Sequence, residues 1–517
     1  MKPVIGRTLA YVLATVFGIS LTLSFAPSHA WWFTPYCLAS LFILLIGSRP
    51  SHAAALGMCF GMGWFGAGFW WVFTGLYAYS DAGLPASAAL TFALLLYLSI
   101  FPALAAMLIS ILQRVQTASW PQNAFAALAA AAAWTLCEWL RGTLFGGLPW
   151  LATGYAHSNG PLAGFAPLIG VYGLCFLNAS AAALLQQCLS ALNMPMQRRA
   201  KQLAAPATML VCLLGCGQLL LQVGWTEDTG RKMTVRLIQG NQPQQEKFSI
   251  GGLENAVTTY VSFAAASPAH LTVLPETAFP MTWNSMPENV RQTFQTIADE
   301  RATAILIGTA LASDQSSRTK LPDTNSAIVL SPHAQSEKTS YRYDKEHLLP
   351  FGEYLPVGAQ WLGPILNLHF SALRAGGSNQ KILTLPQGKL ALSICYEDLF
   401  DMALARKAND AEAQLNISNF AWFAHSFAPE QHLQVAQMRA LEAGRWFMQV
   451  SNTGMTAVID NHGAIQDILP KNRTDALDAE IVLRDGATPF MRYGNTPILL
   501  LSLCAVLIGG LRRYRQL

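Results

Sequence analysis

Residues 390–399 read LALSICYEDL, a short apolar run that leads directly into a cysteine and an acidic pair. The run at 390–394 predicts a buried β-strand, and the pattern after Cys395 predicts the start of a helix. Free backbone N–H groups at a helix start favour a thiolate and can hold an oxyanion on a carbonyl under attack. We therefore expect Cys395 to be a nucleophile that forms acyl thioesters, provided that a base lies near it.

The distribution of the nine cysteines sets Cys395 apart. The others lie in long apolar runs, whereas Cys395 lies in the polar part of the chain. Cysteines in oxidising compartments are often paired as disulfides, so a solitary thiol there is a candidate nucleophile. The alternative is that Cys395 is an inert buried cysteine. The surrounding segments help to decide between the two interpretations.

The polar region around this cysteine, residues 224–495, alternates predicted strands with predicted helices. Strands are expected at 234–239, 271–274, 303–307, 327–330, 390–394, 414–417, 447–451 and 455–459. Helices are expected at 254–266, 289–301 and 430–443. Such alternation indicates a single layered α/β domain.

Two other segments of this domain carry candidate partners for the thiol. Residues 271–276 read LTVLPE, which places Glu276 directly after an apolar strand. Residues 343–353 read YDKEHLLPFGE, a charged stretch with Lys345, His347 and Glu353. Because Glu276 and Cys395 both follow strands, we expect them to project into one cleft at the same sheet edge. Any one of these residues taken alone is more typical of an ordinary surface or salt-bridge group.

The rest of the chain has the composition of a membrane protein. The whole sequence is 52% hydrophobic and 12% charged, with a net charge of +4 that does not suggest binding to nucleic acid. Apolar runs near the bilayer-crossing length occur at 9–25, 31–47, 53–77, 88–112, 124–145, 162–189, 204–223 and 497–511. We expect each to be a transmembrane helix, which gives domains at 1–223 (seven spans), 224–495 (the catalytic domain) and 496–517 (an eighth span and tail).

Lysine and arginine in the loops predict the orientation. Counting spans from the amino terminus, the basic residues fall on one side, namely Lys2, Arg7, Arg49, Arg114, Arg198, Arg199, Lys201, Arg512, Arg513 and Arg515. That side should be cytoplasmic, so the 224–495 domain is expected outside the cytoplasm. Residues 28–30, SHA, also resemble a weak signal-peptidase site, and cleavage there would not reverse the remaining spans.

Glu276, Lys345 and Cys395, in that chain order and with these flanking residues, resemble the catalytic triad of the nitrilase (carbon-nitrogen hydrolase) superfamily. The resemblance implies a four-layer αββα sandwich, with Glu276 as general base, Lys345 stabilising the tetrahedral intermediate and Cys395 as nucleophile. Glu353 matches a fourth, supporting carboxylate, and Tyr396 and Glu397 are further supporting residues. No metal or other cofactor is implied. We interpret His347 as a structural histidine rather than as a papain-like partner of the cysteine.

The joining of such a domain to eight spans resembles the apolipoprotein N-acyltransferases. Further matching segments are 138–142 (EWLRG), 148–150 (LPW), 417–419 (ISN), 421–423 (AWF), 431–432 (QH) and 437–439 (QMR), with Asn452 and Gly454. The chain departs from the family pattern at Phe248, where Trp is common, and at Phe420, where Asp is common. Both departures lie outside the triad, so they bear on substrate fit rather than on the chemistry.

This resemblance implies a two-step reaction at the bacterial inner membrane, with the catalytic domain facing the periplasm. Cys395 takes an acyl chain from a phospholipid as a thioester, and the α-amine of a diacylglyceryl-cysteine apolipoprotein then accepts it. The expected partners are the phospholipid donor, the apolipoprotein acceptor and membrane lipid, without nucleic acid, and a monomer is expected. Residues 361–370 are expected to be either a lipid-facing lid or a core-packing loop. Glu138 and Arg141, three residues apart within a span, are expected to pair in a structural role.

Three other functions stay open at this point. A membrane-tethered amidase or nitrile hydrolase would use the same three residues, with water in place of the amine. A transporter or channel with a polar sensor domain is disfavoured because the spans contain few ionisable residues. A catalytically inactive scaffold is disfavoured because Glu276, Lys345, Glu353 and Cys395 are all present.

Overall fold

The computed structural model describes residues 6–79, 83–112, 120–192, 194–247, 249–312, 323–333, 340–355 and 373–514. The chain divides into two compact units. The first unit comprises Met1–Phe73, Ser87–Gly224 and Thr488–Leu517, and the second comprises Thr74–Ala86 and Trp225–Ala487. The first unit is helical, whereas the second contains strands and helices.

Long apolar helices make up most of the chain before residue 224. They are α1 (Arg7–Leu21), α2 (Phe33–Leu45), α3 (Pro50–Gly68), α4 (Trp70–Tyr79), α5 (Gly83–Leu112), α6 (Trp120–Arg141), α7 (Ala166–Leu192) and α8 (Met196–Leu220). Helices α14 (Pro489–Tyr493) and α15 (Thr496–Tyr514) follow the α/β unit. In lipid a helix satisfies its own backbone hydrogen bonds, which explains why these apolar runs are helical.

Several of these helices are long and apolar enough to cross a membrane. Among the described residues, six helical segments meet that criterion alone, namely α1 together with the 3₁₀ turn that follows it (Arg7–Ser24), α5, α6, α7, α8 and α15. Helices α3 and α4 meet it only together and are bent by 52° where they join. Helix α2 has 13 residues and therefore spans about 20 Å, short of a hydrocarbon core of about 30 Å. A region with several apolar helices of membrane-spanning length is thus confirmed, while the count of eight crossings stays a prediction.

Glu138 and Arg141 form a buried ion pair at the end of α6, with the guanidinium 3.5 Å from the carboxylate. Glu138 also accepts hydrogen bonds from the backbone N–H and the hydroxyl of Thr153. Arg141 donates to the carbonyl oxygens of Leu148 and Trp150. The predicted pairing is confirmed, and both charges are satisfied by the segment that follows α6. Buried charges require such compensation, which supports a structural role for the pair.

Within its described residues, the second unit contains two mixed sheets of six strands each. The first sheet has the order β12-β1-β2-β3-β4-β5, and the second has the order β11-β10-β9-β8-β7-β6. The strands are β1 (Glu227–Gln239), β2 (Leu271–Val273), β3 (Ala304–Leu311), β4 (Thr324–Leu330), β5 (Tyr341–Asp344), β6 (Leu383–Thr384), β7 (Lys389–Ile394), β8 (Ala413–Ser418), β9 (Phe447–Ser451), β10 (Thr456–Ile459), β11 (Ile465–Leu469) and β12 (Asp475–Asp485). Strands β1, β2 and β3 are parallel to one another, as are β7, β8 and β9.

Helices of the second unit are α9 (Gln244–Lys247), α10 (Ile250–Ala266), α11 (Glu288–Arg301), α12 (Asp401–Asn409) and α13 (Ala428–Ala443). The two sheets share one apolar core, in which Leu237 and Leu306 of the first sheet pack with Leu392 and Leu415 of the second. Helices α10 and α11 contribute to a second core with other residues of the first sheet. Helices α12 and α13 pack against strands of the second sheet.

Each of the eight predicted strands overlaps an observed strand, and the three predicted helices overlap α10, α11 and α13. The sequence does not predict β5, β6, β11 and β12. Strand β12 is long and pairs with β1 at the edge of its sheet. Its buried residues Leu477, Ile481 and Leu483 alternate with more exposed ones, so it contains no continuous apolar run of the kind that marks the central strands.

Candidate active site

Glu276 lies just beyond the carboxyl end of β2. The backbone N–H groups of Leu274 and Ala278 each donate a 2.8 Å hydrogen bond to β3, so the chain stays attached to that strand on both sides of Glu276. Thr277, the next residue, has a φ of +45°, a left-handed conformation that is rare for a β-branched residue. Glu276 is therefore fixed at a sharp bend, and it is buried.

Cys395 occupies the matching position after β7, where the strand turns into the five-residue 3₁₀ helix Cys395–Leu399. Its φ is +58°, which again is a left-handed backbone at a residue with a side chain. The carbonyl oxygen of Cys395 accepts a 2.8 Å hydrogen bond from the Asn416 amide, and the ring Nε2 of His432 lies 3.4 Å from the same oxygen. These contacts hold the strained turn that presents the thiol, since unusual backbone conformations persist only where surroundings impose them.

Lys345 joins the two carboxylates of the site. It follows β5 directly, and its backbone N–H donates a 2.8 Å hydrogen bond to the carbonyl of Asn325 on β4. Its Nζ lies 3.2 Å from Glu276 Oε1 and 3.0 Å from Glu353 Oε1. The Asn325 side-chain amide donates to the same two oxygens at 2.8 Å each. One ammonium and one amide thus bridge a pair of buried carboxylates.

Glu353 is fixed by its second oxygen, which accepts a 2.7 Å hydrogen bond from the backbone N–H of Leu349. The structure therefore brings Glu353 to Lys345, which is the position expected of a supporting carboxylate. Its contacts are to the lysine, to Asn325 and to its own loop.

Glu397 and Tyr396 tie the cysteine turn to the loop after Lys345. Glu397 accepts hydrogen bonds from the backbone N–H groups of Ile394, Glu346 and His347, at 2.6, 2.6 and 3.0 Å. Tyr396 donates a 2.6 Å hydrogen bond from its hydroxyl to the carbonyl of Leu348. Their role in this geometry is to fix the position of Cys395 relative to Lys345.

The electrostatics of the site distinguish the lysine from the thiol. Burial alone would lower the pKa of Lys345, but the carboxylates of Glu276 and Glu353 outweigh burial and raise that pKa well above its ordinary value. Burial raises the pKa of the Cys395 thiol well above its ordinary value, and Glu276 adds to the rise while Lys345 opposes it. At neutral pH Lys345 is therefore charged and Cys395 is protonated.

The raised pKa of Cys395 contradicts the expectation that the helix start makes this residue a thiolate. The turn after Cys395 is a single short 3₁₀ helix, and the pKa-lowering contact there is the backbone hydrogen bond from Tyr396. Desolvation and the nearby carboxylates outweigh it, so the thiol needs a separate proton acceptor.

His347 stacks its ring on Phe400, with ring centroids 4.2 Å apart and planes at 15°. This contact agrees with the interpretation of His347 as a structural histidine. Among the described residues, no group of three or more His, Cys, Asp or Glu side chains is arranged to hold a metal ion.

Three residues of the site carry no recognisable signal in the sequence. Asn325 lies in the strand run TNSAIVL, where its neighbours predict only a core strand. Asn416, which holds the Cys395 carbonyl, lies likewise in the buried strand β8. Lys247 follows QQE in a segment that is typical of a solvated helix start, yet it is buried and donates a 2.8 Å hydrogen bond to Thr277.

Of the two positions that depart from the family pattern, Phe420 and Phe248, the structure describes only Phe420. Phe420 is buried, and its ring packs on His432 with centroids 5.0 Å apart, so it supports the residue beside the Cys395 carbonyl. Phe248 and the segment 361–370 lie outside the described residues.

Residues 234–488 match the family model described as carbon-nitrogen hydrolase, which gives the class of the α/β domain. Residues 17–184 match the model of the apolipoprotein N-acyltransferase N-terminal domain. Together with the relatives described next, these matches show that the chain belongs to the apolipoprotein N-acyltransferase family.

Proteins of that name from three bacteria are similar over nearly their whole length. The Ralstonia nicotianae protein is 39% identical, with 99% of this chain and 95% of the relative covered. The Nitrosomonas europaea protein is 37% identical, with 97% of each chain covered. The Chromobacterium violaceum protein is 37% identical, with 98% of this chain and 95% of the relative covered.

Proposed function

We propose that this chain transfers an acyl chain from a phospholipid to the α-amine of a diacylglyceryl-cysteine apolipoprotein, through a thioester on Cys395. The observation that carries the proposal is the convergence of Glu276, Lys345 and Cys395 in a buried site of a chain that also contains a membrane part. Family membership supports transfer to an amine over transfer to water.

In the first step Glu276 accepts the thiol proton of Cys395 as the sulfur attacks the ester carbonyl of the phospholipid. A carbon–sulfur bond forms, and the negative charge moves to the carbonyl oxygen. Lys345 stays charged in this site, so it can stabilise that oxyanion together with backbone N–H groups at the cysteine turn. Collapse breaks the carbon–oxygen bond, and Glu276 returns its proton to the departing lysophospholipid.

In the second step the α-amine of the acceptor attacks the thioester carbonyl, and Glu276 takes a proton from the nitrogen. The carbon–sulfur bond then breaks, and Glu276 passes that proton to the departing sulfur, which restores the thiol of Cys395. The product is an amide on the acceptor, and the enzyme returns to its starting protonation state. The same three residues therefore serve both halves of a ping-pong reaction.

Glu353, Tyr396 and Glu397 act as supporting residues in this proposal. Glu353 and Asn325 fix the ammonium of Lys345 and the carboxylate of Glu276 relative to each other. Tyr396 and Glu397 fix the cysteine turn to the loop after Lys345. The reaction as proposed involves no metal ion or organic cofactor.

We further propose the arrangement of the chain that the sequence predicts. The domain boundaries are 1–223, 224–495 and 496–517, and the catalytic domain has four layers in the order αββα. The shared core of the two sheets and the helices packed against each of them support that order. Eight membrane crossings, a bacterial inner-membrane location, a periplasmic catalytic domain and a monomeric state complete the proposal.

Product analysis tests transfer against hydrolysis. The purified protein in phospholipid vesicles is incubated with a diacylglyceryl-cysteine peptide, and the lipid products are identified by mass spectrometry. The proposal predicts an N-acylated peptide and lysophospholipid in equal amounts, both absent for Cys395→Ser. Free fatty acid with unmodified peptide would contradict transfer and would favour the amidase-like hydrolase.

A further inference from the structure

Lys247 is a buried lysine that the proposed reaction does not use. It lies at the end of α9 and is 4% exposed. Its Nζ donates a 2.8 Å hydrogen bond to the hydroxyl of Thr277, the residue that directly follows Glu276. A buried ammonium is costly unless it has charged or polar partners, so its position beside the general base requires an explanation.

Thr277 connects Lys247 to the bend that carries Glu276. The Thr277 hydroxyl is also 3.4 Å from the side-chain amide of Asn419, and Asn419 accepts a 3.1 Å hydrogen bond from Asn452. Thr277 has the strained φ of +45°. The side chains of Lys247 and Asn419 thus hold the backbone conformation of Thr277, which directs Glu276.

Without Lys247, the groups around Glu276 would contain more negative than positive charges. The groups that face Glu276 are Lys345, Glu353, the Cys395 thiol and Lys247. Leaving Lys247 aside, two carboxylates share one ammonium. Burial lowers the pKa of Lys247 to about 8, with the Glu276 carboxylate opposing that change, so the lysine is mostly charged at neutral pH. It supplies the second positive charge.

We propose that Lys247 is a positioning residue for the acyl transfer, whose hydrogen bond to the Thr277 hydroxyl holds the bend that carries the Glu276 carboxylate. The inference rests on the proposed function, since it assigns Glu276 the role of base. A displacement of a general base by about 1 Å can lower a rate by about 10²-fold. Loss of the Lys247 contact should therefore slow acylation of Cys395.

The test measures the rate of thioester formation on Cys395 from phospholipid vesicles at neutral pH. Omitting the acceptor isolates the first step of the reaction. Lys247→Met is expected to lower this rate by about 10²-fold. Lys247→Gln, which keeps a hydrogen-bond donor, should restore part of the rate.

Two further variants test the contact between Lys247 and Thr277. Thr277→Val removes the hydroxyl and should slow acylation as Lys247→Met does, and the double variant should be no slower than either single variant, because both remove the same hydrogen bond. Lys232→Met is the matched control, because Lys232 is an exposed lysine that pairs with Glu480; its rate should equal that of the wild type. Size-exclusion chromatography and thermal unfolding in detergent identify any variant that does not fold.

A wild-type acylation rate in folded Lys247→Met, or a double variant whose two losses add, would overturn the inference and leave the proposed function intact. If Lys247→Met does not fold, Lys247→Gln and its double variant with Thr277→Val decide the question by the same comparison. If the wild type forms no thioester, the proposed function itself fails and the inference fails with it.

Discussion

At the scale of single residues, Cys395 is a buried thiol that stays protonated at rest. Burial and the Glu276 carboxylate both raise its pKa, and the charge of Lys345 does not compensate. A protonated thiol is a poor nucleophile, so activation has to coincide with proton transfer to Glu276. This arrangement limits side reactions of the thiol when substrate is absent.

Glu276→Gln should change two rates at Cys395 in opposite directions. The carboxylate raises the pKa of the thiol, so its removal increases the thiolate fraction and speeds alkylation by iodoacetamide, about tenfold per unit of pKa lost. Acylation by phospholipid should slow by about 10²- to 10⁴-fold, because the general base is gone. Mass spectrometry of the peptide that contains Cys395 measures both rates.

Glu480→Gln is the control, since Glu480 is half exposed and pairs with Lys232. It should change neither rate. A parallel fall of alkylation and acylation in Glu276→Gln would show that the substitution distorts the site, and it would contradict the assigned role of the carboxylate.

Glu276, Lys345 and Cys395 are predictable from sequence. Each follows a strand, and their chain order and flanking residues resemble those of the carbon-nitrogen hydrolases. Asn325 and Lys247 are not predictable, because they act through contacts with residues far away in the chain. The protonation state of Cys395 is also not predictable, since it depends on burial.

At the scale of elements, the site depends on how closely β3 approaches the end of β2. Gly308 of β3 lies against the residues that lead to Glu276, and a Cβ there would be 2.2 Å from the Pro275 carbonyl oxygen and 2.8 Å from the Glu276 Cα. Real atoms do not approach so closely, so the backbone next to Glu276 would have to move. Glycine at this position lets the two strands hold the bend.

Gly308→Ala is therefore expected to displace Glu276 and to lower the acylation rate by about 10²-fold, since a displacement of about 1 Å can have that effect. The acylation rate of Cys395 in phospholipid vesicles measures it. Gly251→Ala is the matched control, because no atom lies within 4 Å of a Cβ at that position. Equal rates for the two variants would contradict the importance of this close approach.

The central strands of both sheets are predictable because they are continuously buried and apolar. Strands β7 and β8 are buried along almost their whole length, which is typical of parallel strands covered on both faces. Edge strands such as β12 and β11 lack that signal, because they alternate or are exposed and are fixed by pairing with neighbours. Pairing partners far along the chain are not visible in a local pattern.

At the scale of the whole molecule, the chain combines a helical membrane unit with an α/β unit. The apolar runs predict the helices well, yet they do not fix how many cross the membrane. Helix α2 is short, and α3 and α4 are bent at Phe69, where φ and ψ depart from helical values. Length and bending depend on packing, which hydropathy does not report.

Reporter fusions test the proposed orientation. Alkaline phosphatase, which is active only outside the cytoplasm, should be active when fused after Gly224 and inactive when fused after Arg199. The basic cluster that precedes α8 is the physical reason, since Lys and Arg are retained on the cytoplasmic side. Green fluorescent protein fused at the same two positions is the complementary control. The opposite pattern would place the α/β unit in the cytoplasm and contradict the proposal.

The central claim is that Cys395 carries the acyl chain during transfer. The most direct measurement is the intact mass of the purified protein after incubation with vesicles of one defined phospholipid, for the wild type and for Cys395→Ser. The account predicts a mass increase of one acyl group on the wild type, mapped to Cys395, absent from the variant and lost when a diacylglyceryl-cysteine peptide is added. A folded wild-type protein that transfers acyl chains to the peptide without ever gaining that mass, or that gains it at another residue, would contradict the account.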